Sequence, residues 1–382
     1  MGQMFEKGVA LVYARKWDIH GGIENYATTL AGMLPQAHPD QQAVLVDSRG
    51  SGSLLASVFQ VIRAGRDLRR LARDGRIDVV HINMSERASF FRKGYLVQLA
   101  RSAGLRVILH HHGADLVSSY EALPAPAKAF VRGAVKSADV NVVLGSETGQ
   151  WLTDRMGLPS DRWQVVYNAL PDLPTPPEPL PEAPDRPFRP LLLAVLSDRK
   201  GVKEYLEALA ALKARGTAFE ATVAGGGPEL ERFQAMAATL GIADDCTFPG
   251  WVKPEDVPPM LTRHDVYVLP SHAEGLPIGI LEALRQGRAV ITTTVGAIPE
   301  ALPAGPDMAL VPPGDVPALT EALANMAADP AQRRVAGQTA RTRYEQNFTF
   351  EAHLNQMVSL YRGHATDQAV DVAADLPEGA PS

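Results

Sequence analysis

The chain has one cysteine, Cys246, in 382 residues, which excludes an internal disulfide and any multi-thiolate zinc site. Cys246 therefore reads as a small core residue rather than a nucleophile. Long apolar runs are missing too, since nothing approaches the roughly 18 unbroken apolar residues of a membrane span. The opening residues Met-Gly-Gln-Met-Phe-Glu-Lys lead straight into a strand-like run without a signal-peptide pattern, so a cytoplasmic protein is expected. From 365 to 382 there is no Lys or Arg, and the small and acidic residues there suit a disordered tail. No internal sequence repeat is found.

What is present suits two domains: 46% of residues are hydrophobic and the net charge is -6. Residues 171–190 contain nine prolines, which remove backbone donors and favour a stiff, extended path. That stretch is expected to link a first domain, 1–170, to a second, 191–345. On either side, β-rich apolar runs alternate with helical patterns, at 8–13, 43–46, 78–82, 106–110 and 140–144, then at 191–196, 220–224, 266–269 and 289–292. The alternation predicts an α/β protein of two Rossmann-like, doubly wound parallel sheets. Ligands of such sheets bind beyond the carboxyl ends of the strands, so two facing sheets imply a cleft.

The most telling stretch is Glu-Gly-Leu-Pro-Ile-Gly-Ile-Leu-Glu, in which Glu274 and Glu282 stand eight positions apart. The run 265–270 before it reads as a buried strand and 278–286 as a helix, so 274–277 is the connecting turn. Gly275 lets the chain pass close to a ligand, and the helix start adds partial positive charge, which suits a phosphate or diphosphate. Each glutamate can accept two hydrogen bonds, the demand made by vicinal hydroxyls on a sugar or ribose. Together these features describe a site for a nucleotide sugar. Two acids on an ordinary helix would give the same spacing, so the surrounding motifs decide.

The stretch resembles the Glu-x7-Glu signature of retaining glycosyltransferase family 4, whose fold is GT-B. The resemblance implies that Glu274 lies near the transferred sugar and Glu282 binds the ribose, while the backbone of Gly275, Leu276 and Ile278 holds the diphosphate. Further elements fall in the family's order. Lys200-Gly201 matches its Lys-Gly motif, and Arg199 and Lys200 would set positive charge on the diphosphate, although the family's usual arginine position holds Leu196 or Ser197 here. Ala224-Gly-Gly-Gly-Pro-Glu-Leu230 resembles the Val-x-Gly-x-Gly-Pro-Glu element; Leu230 and Pro228 break a dinucleotide fingerprint and argue against NAD. Trp251 and Val252, in Phe248-Pro-Gly-Trp-Val252, correspond to the loop that contacts the base. In GT-B enzymes the last helix returns to the first domain, which assigns 346–364 that part.

In the first domain, Gly21 and Gly22 of Asp18-Ile-His-Gly-Gly-Ile-Glu24 resemble the family's Gly-Gly-x-Glu loop. His110-His-His-Gly-Ala-Asp115 closes a strand, where alternation puts His111 opposite His110 and His112 and disfavours three-fold metal ligation. His112-Gly113 matches the family's histidine beside the sugar. No Asp-x-Asp sequence occurs, so the metal-held diphosphate of the other common glycosyltransferase fold is not expected, and neither a metal nor another cofactor is assigned.

Charge bears on the acceptor: residues 1–180 hold 20 Lys and Arg against 17 Asp and Glu, and the remainder 17 against 26. Within the first half, 53–76 reads as an amphipathic helix with Arg63, Arg66, Arg70 and Arg73 along one face, suited to anionic lipid or simply to solvent. Arg87, Arg92 and Lys93, near Phe90 and Phe91, could hold acceptor phosphates, and this cluster resembles a bacterial exopolysaccharide subgroup of the family. The expectation is a metal-independent, retaining transferase moving a hexose, with mannose preferred over glucose. It would act from a GDP- or UDP-sugar donor onto a polyprenyl-diphosphate-linked oligosaccharide acceptor, at the inner face of the membrane and with no nucleic-acid partner. A GT-B nucleotide-sugar epimerase or a non-catalytic carbohydrate-binding protein are the alternatives.

Overall fold

The computed structural model describes residues 6–14, 22–50, 54–180 and 186–364; Gly21 and the expected tail 365–382 lie outside them. The chain divides into two units, residues 1–167 with 351–370, and residues 168–350 with 371–382.

In the first unit, β1 (Gly8–Tyr13), α1 (Gly22–Ala37), β2 (Gln42–Asp47), α2 (Leu54–Arg73), β3 (Val79–Met84), α3 (Ala88–Ser102) and β4 (Arg106–His111) alternate. Helices α4 (Leu116–Glu121) and α5 (Ala125–Ser137), then β5 (Val140–Val143), α6 (Ser146–Met156) and β6 (Trp163–Val165), complete the sheet. It is parallel throughout, in the order β2-β1-β3-β4-β5-β6. Every residue of β1 and β3 is buried, the pattern of strands covered on both faces. Strand β3 nevertheless includes His81 and Asn83, which must find partners inside.

The second unit runs β7 (Pro190–Leu193), α7 (Val202–Ala214), β8 (Ala221–Ala224), α8 (Leu230–Thr239), β9 (Cys246–Gly250), α9 (Val257–Arg263) and β10 (Val266–Leu269). It continues through α10 (Ile278–Arg285), β11 (Ala289–Thr293), α11 (Ile298–Ala301), β12 (Met308–Val311), α12 (Val316–Ala328) and α13 (Pro330–Asn347). Its parallel sheet has the order β12-β11-β10-β7-β8-β9, the dinucleotide-fold arrangement with its reversal between first and fourth strands. Helix α14 (Phe350–Arg362) belongs, beyond Phe350, to the first unit.

The sheets carry three strands that periodicity did not single out, β6, β9 and β12. Each is short, and β9 contains proline and ends in glycine, so their apolar signal is weak. The proline-rich stretch also differs from a free linker, for its described part is strapped to the second unit. Arg341 makes two 2.7 Å bonds to Asp172, Arg285 Nη1 donates to Pro171 O at 2.8 Å, and Arg186 makes two 2.9 Å bonds to buried Asp265.

Candidate active site

In the second unit, the loops after β7 and β10 leave the sheet where strand order reverses, the place at which doubly wound sheets open a crevice. They meet there. Lys200 Nζ lies 2.5 Å from Glu274 Oε1, their side chains only 16% and 7% exposed. His272 N donates to Arg199 O at 2.8 Å, and the exposed Arg199 returns Nη1 to Ala273 O at 2.9 Å. Gly201 has φ +71, and a Cβ on it would stand 1.9 Å from Pro270 O, so a side chain would force the loops apart.

The turn itself is held by its carbonyls. Ala297 N donates to Gly275 O at 3.0 Å, and buried Asn168 donates Nδ2 to Leu276 O at 2.7 Å. With Pro277 as its cap residue, α10 has no side-chain cap, so its first amides and its dipole are left to attract an anion. Glu282 follows on the same helix, half-buried, and burial pushes its carboxyl up to about 7 against a smaller opposing pull from Arg285. Tyr267 donates its hydroxyl to Leu193 O at 2.9 Å. Burial, then the charges of Glu282 and Glu274, hold that hydroxyl well above the usual tyrosine range. A Cβ on Gly279 would come within 2.4 Å of the same hydroxyl, which explains a glycine on the first turn of the helix.

The loops after β8 and β9 pack alongside. Leu196 N donates to Gly226 O at 2.9 Å and Gly225 N to Gly250 O at 2.8 Å. The indole of Trp251, 53% exposed, lies on Gly226, where a Cβ would be 2.3 Å from its Nε1. Trp251 thus offers an aromatic face at the same end of the sheet, with Val252 half-buried beside it.

In the first unit, strand order reverses between β1 and β3. Half-buried His112, just past β4, has its Nε2 2.8 Å from Asn83 Oδ1, and Asn83 donates Nδ2 to Val12 O at 3.2 Å. With Asn83 accepting, His112 donates from Nε2 and keeps Nδ1 as the acceptor nitrogen. Burial, then the charges of His111, His353 and Lys93, push His112 down to about 3. His111 points to the other face, 3.0 Å from Asn141 Oδ1, as strand alternation requires. His110 serves a different purpose: its Nδ1 lies 3.2 Å from His81 Nε2, whose Nδ1 lies 2.7 Å from the Tyr361 hydroxyl on α14. Tyr26 and His353 make a second such bond at 2.9 Å, so buried polar pairs dock α14 in this unit.

Arg87 is exposed and is the one described non-glycine residue with positive φ, +55, where α3 begins. Lys93 is wholly buried, and its Nζ has no hydrogen-bond partner among the described residues. Burial and then Arg92 hold its ammonium well below the usual lysine range, Asp47 opposing. Gly22 is exposed at the start of α1. On α2, Arg63 and Arg70 are 76% and 77% exposed and sit 3.9 and 3.6 Å from Asp67 and Asp74.

The structure therefore gathers Lys200, Arg199, Glu274, Gly275, Leu276, Ile278 and Glu282 at one sheet end, and sets His112, Arg92 and Lys93 at the corresponding end of the other sheet. Sequence reasoning did not single out Asn168 or Tyr267, and it matched Gly296-Ala-Ile-Pro-Glu300 to a later loop of the family without giving Gly296 a part in the site. Gly296 has φ +57, and a Cβ there would stand 2.0 Å from Glu274 O. The glycine of Gly-Ala-Ile-Pro was a visible signal for such a close approach, whereas Asn168 and Tyr267 carried none.

Comparison with known proteins gives two adjoining family matches. The profile described as Glycosyltransferase Family 4 covers residues 20–172, and that described as Glycosyl transferases group 1 covers residues 181–343. The protein named colanic acid biosynthesis glycosyltransferase WcaL, of Salmonella typhimurium, is 33% identical over 175 residues, 44% of this chain and 43% of that protein. Alpha-D-kanosaminyltransferase of Streptomyces kanamyceticus is 27% identical over 332 residues, 83% of each chain. Among solved structures, Anabaena HepE in complex with UDP and glucose superposes with a TM-score of 0.72 at 15% identity, over 94% of this chain and 100% of that one.

Proposed function

Because the chain belongs to the family 4 type of GT-B glycosyltransferases, we propose that it is a retaining, metal-independent hexosyltransferase. In this reading it takes a sugar, mannose or glucose, from a GDP- or UDP-sugar and delivers it to a polyprenyl-diphosphate-linked oligosaccharide. The observation that carries the donor side is the buried Lys200–Glu274 pair beside the uncapped start of α10. The name of WcaL supports a cell-surface polysaccharide setting, and the UDP and glucose bound by HepE support a nucleotide-sugar donor.

The reaction breaks the bond from the anomeric carbon to the phosphate oxygen and forms one to the acceptor hydroxyl oxygen on the same face, the hydroxyl proton passing to the departing phosphate. Lys200, Arg199 and the amides of Gly275, Leu276 and Ile278 stabilise the charge that gathers on the leaving diphosphate. Glu274 orients Lys200 and accepts from sugar hydroxyls, Glu282 accepts from the ribose diol, and Trp251 with Val252 borders the base. His112 bonds the sugar, Gly22 lets the backbone approach the donor, and Gly21, Arg87 and Arg92 serve the acceptor, whereas Lys93, 0% exposed, is enclosed behind Arg92 rather than open to a phosphate. The exposed arginines of α2 hold the protein on anionic lipid at the inner membrane face.

The test is incubation with UDP- and GDP-hexoses and a polyprenyl-diphosphate glycan, with products read by mass spectrometry. An acceptor heavier by one hexose, lost at least a hundredfold in Lys200→Met, is expected. Free epimerised sugar formed without acceptor, or turnover indifferent to Lys200→Met, would overturn the reading. Flotation with phosphatidylglycerol vesicles checks the membrane component, which changing Arg63, Arg66, Arg70 and Arg73 to Ser should abolish.

A further inference from the structure

Strand β3 carries an amide where an apolar side chain would pack as well. Asn83 is 1% exposed, on a strand whose neighbours in the sheet are β1 and β4. A polar group at that depth costs stability unless partners are at hand, and Asn83 has two. Its Nδ2 donates to Val12 O at 3.2 Å, and its Oδ1 lies 2.8 Å from His112 Nε2. The first contact dictates the second. A backbone carbonyl can only accept, so the amide must turn its nitrogen to the end of β1 and its oxygen to the end of β4. Facing that oxygen, Nε2 of the imidazole must carry the proton, and Nδ1 is left with a lone pair.

The ring itself is held from its faces. His110 packs against it with ring centroids 3.9 Å apart and planes tilted by 31°, and Tyr26 stands at 5.2 Å. Neither bonds a nitrogen of His112, so they fix its plane and leave its tautomer to Asn83. The three consecutive histidines then differ in what they can offer. His110 Nε2 and His111 Nδ1 are enclosed without a partner among the described residues. His112 is half-buried, and its Nδ1, also without a partner among the described residues, is not enclosed. This strand end therefore presents a lone pair of fixed direction, able to accept a hydrogen bond and unable to donate one.

We propose that Asn83 is a positioning residue that makes His112 an obligate hydrogen-bond acceptor, so that the donor sugar must present a hydroxyl or amino hydrogen to Nδ1. The proposal rests on the reading above in which His112 bonds the sugar, and it deepens that reading into a specificity. An imidazole free to exchange tautomers would match either a donor or an acceptor on the sugar, whereas a fixed one matches only a donor. Sugars with hydrogen, fluorine or an ether at that position leave Nδ1 desolvated and unpaired, and a site built to bond a hydroxyl rejects them for that reason.

The test joins two readouts on the full-length protein. Long-range proton–nitrogen correlation spectra show which imidazole nitrogen is protonated, the His112 signals being identified by their loss in His112→Gln. Near neutral pH, native His112 should be protonated at Nε2 alone. Asn83→Leu, which removes the acceptor but keeps the site apolar and filled, should bring in the form protonated at Nδ1. Asn83→Ala serves the same end if leucine disturbs the sheet, with the circular dichroism spectrum and UDP affinity as controls. The second readout is kcat/KM for UDP-glucose or GDP-mannose, whichever is transferred, and for its single-position deoxy analogues. One analogue should lose at least tenfold in the native protein, and in the Asn83 variants that penalty should shrink to about threefold or less. Native His112 protonated at Nδ1, a tautomer unchanged in both variants, or a deoxy penalty that persists in them undiminished would overturn the proposal. Equal transfer of every analogue by native protein that shows the expected tautomer would overturn the sugar contact of His112 and the specificity with it, while the Nε2 proton held by Asn83 would stand.

Discussion

Replacing Glu282 with Gln offers a sharp test of the donor site, because one carboxyl should control both a stability profile and an affinity. Burial holds this group near 7 against an ordinary 4.5. The folded state therefore keeps a proton that the unfolded state has lost, and stability falls as pH rises from about 4.5 through 7. At roughly 1.4 kcal/mol per tenfold, the gap sets a ceiling of about 3 kcal/mol. Glu282 is half-buried, and access of water to it reduces the expected effect to about 1–2 kcal/mol. Glutamine cannot titrate, so the difference in stability between variant and native protein should widen in favour of the variant between pH 5 and pH 8. Hydrogen exchange of β11 amides, which reports the second unit alone, is the suitable assay. Nucleotide binding should respond in the opposite sense. A ribose diol donates better to a carboxylate than to an acid, so native affinity for UDP or GDP should rise with pH through about 7 and binding should release a proton. In Glu282→Gln that pH dependence should vanish, and affinity at pH 8 should drop roughly tenfold to a hundredfold, the value of about 1.5–3 kcal/mol for a charge-assisted bond. Parallel stability profiles in the two proteins, or nucleotide affinity equal at every pH, would refute the reasoning.

Gly296→Ala should weaken nucleotide affinity at least tenfold in calorimetry. A Cβ 2.0 Å from Glu274 O at φ +57 forces the Glu274 turn to move, beyond the roughly 1 kcal/mol cost of a left-handed alanine. Acid should loosen the first unit while the Glu282 site tightens: burial pushes His111 and His353 down to about 4, so unfolded histidine takes up protons from about pH 6.5 and stability falls as pH falls. By pH 5 the two should together cost about 2–4 kcal/mol, read as faster exchange of β3 and β4 amides with β11 amides as control.

Alternation of apolar runs with helical patterns was enough to read two parallel sheets, because strands such as β1 and β3 are buried on both faces and carry a dense signal. The Glu274–Glu282 stretch was legible for a related reason: strand, glycine turn and helix are local, so their chemistry is written in consecutive residues. What was not legible depends on contacts far apart in the chain. Asn168 reaches the carbonyl of Leu276, 108 positions away, and Tyr267 spans 74 positions to Leu193. No periodicity encodes such bonds. The proline-rich segment shows the opposite error, since its composition announces an extended path but not the arginines of α10 and α13 that bind it to the second unit.

The two sheets place charge differently at equivalent points. In the second unit the chief cation, Lys200, already has a carboxylate at 2.5 Å, so under the proposed function a donor diphosphate would share it with Glu274. On that proposal the shared cation gains less from binding and releases the nucleotide more readily after transfer. In the first unit Lys93 is buried with no hydrogen-bond partner among the described residues. An unpaired ammonium in that setting is costly unless it sheds its proton, and either outcome leaves the protein less stable than one with an anion at hand. Lys93 is 0% exposed, so the fold itself bears that cost.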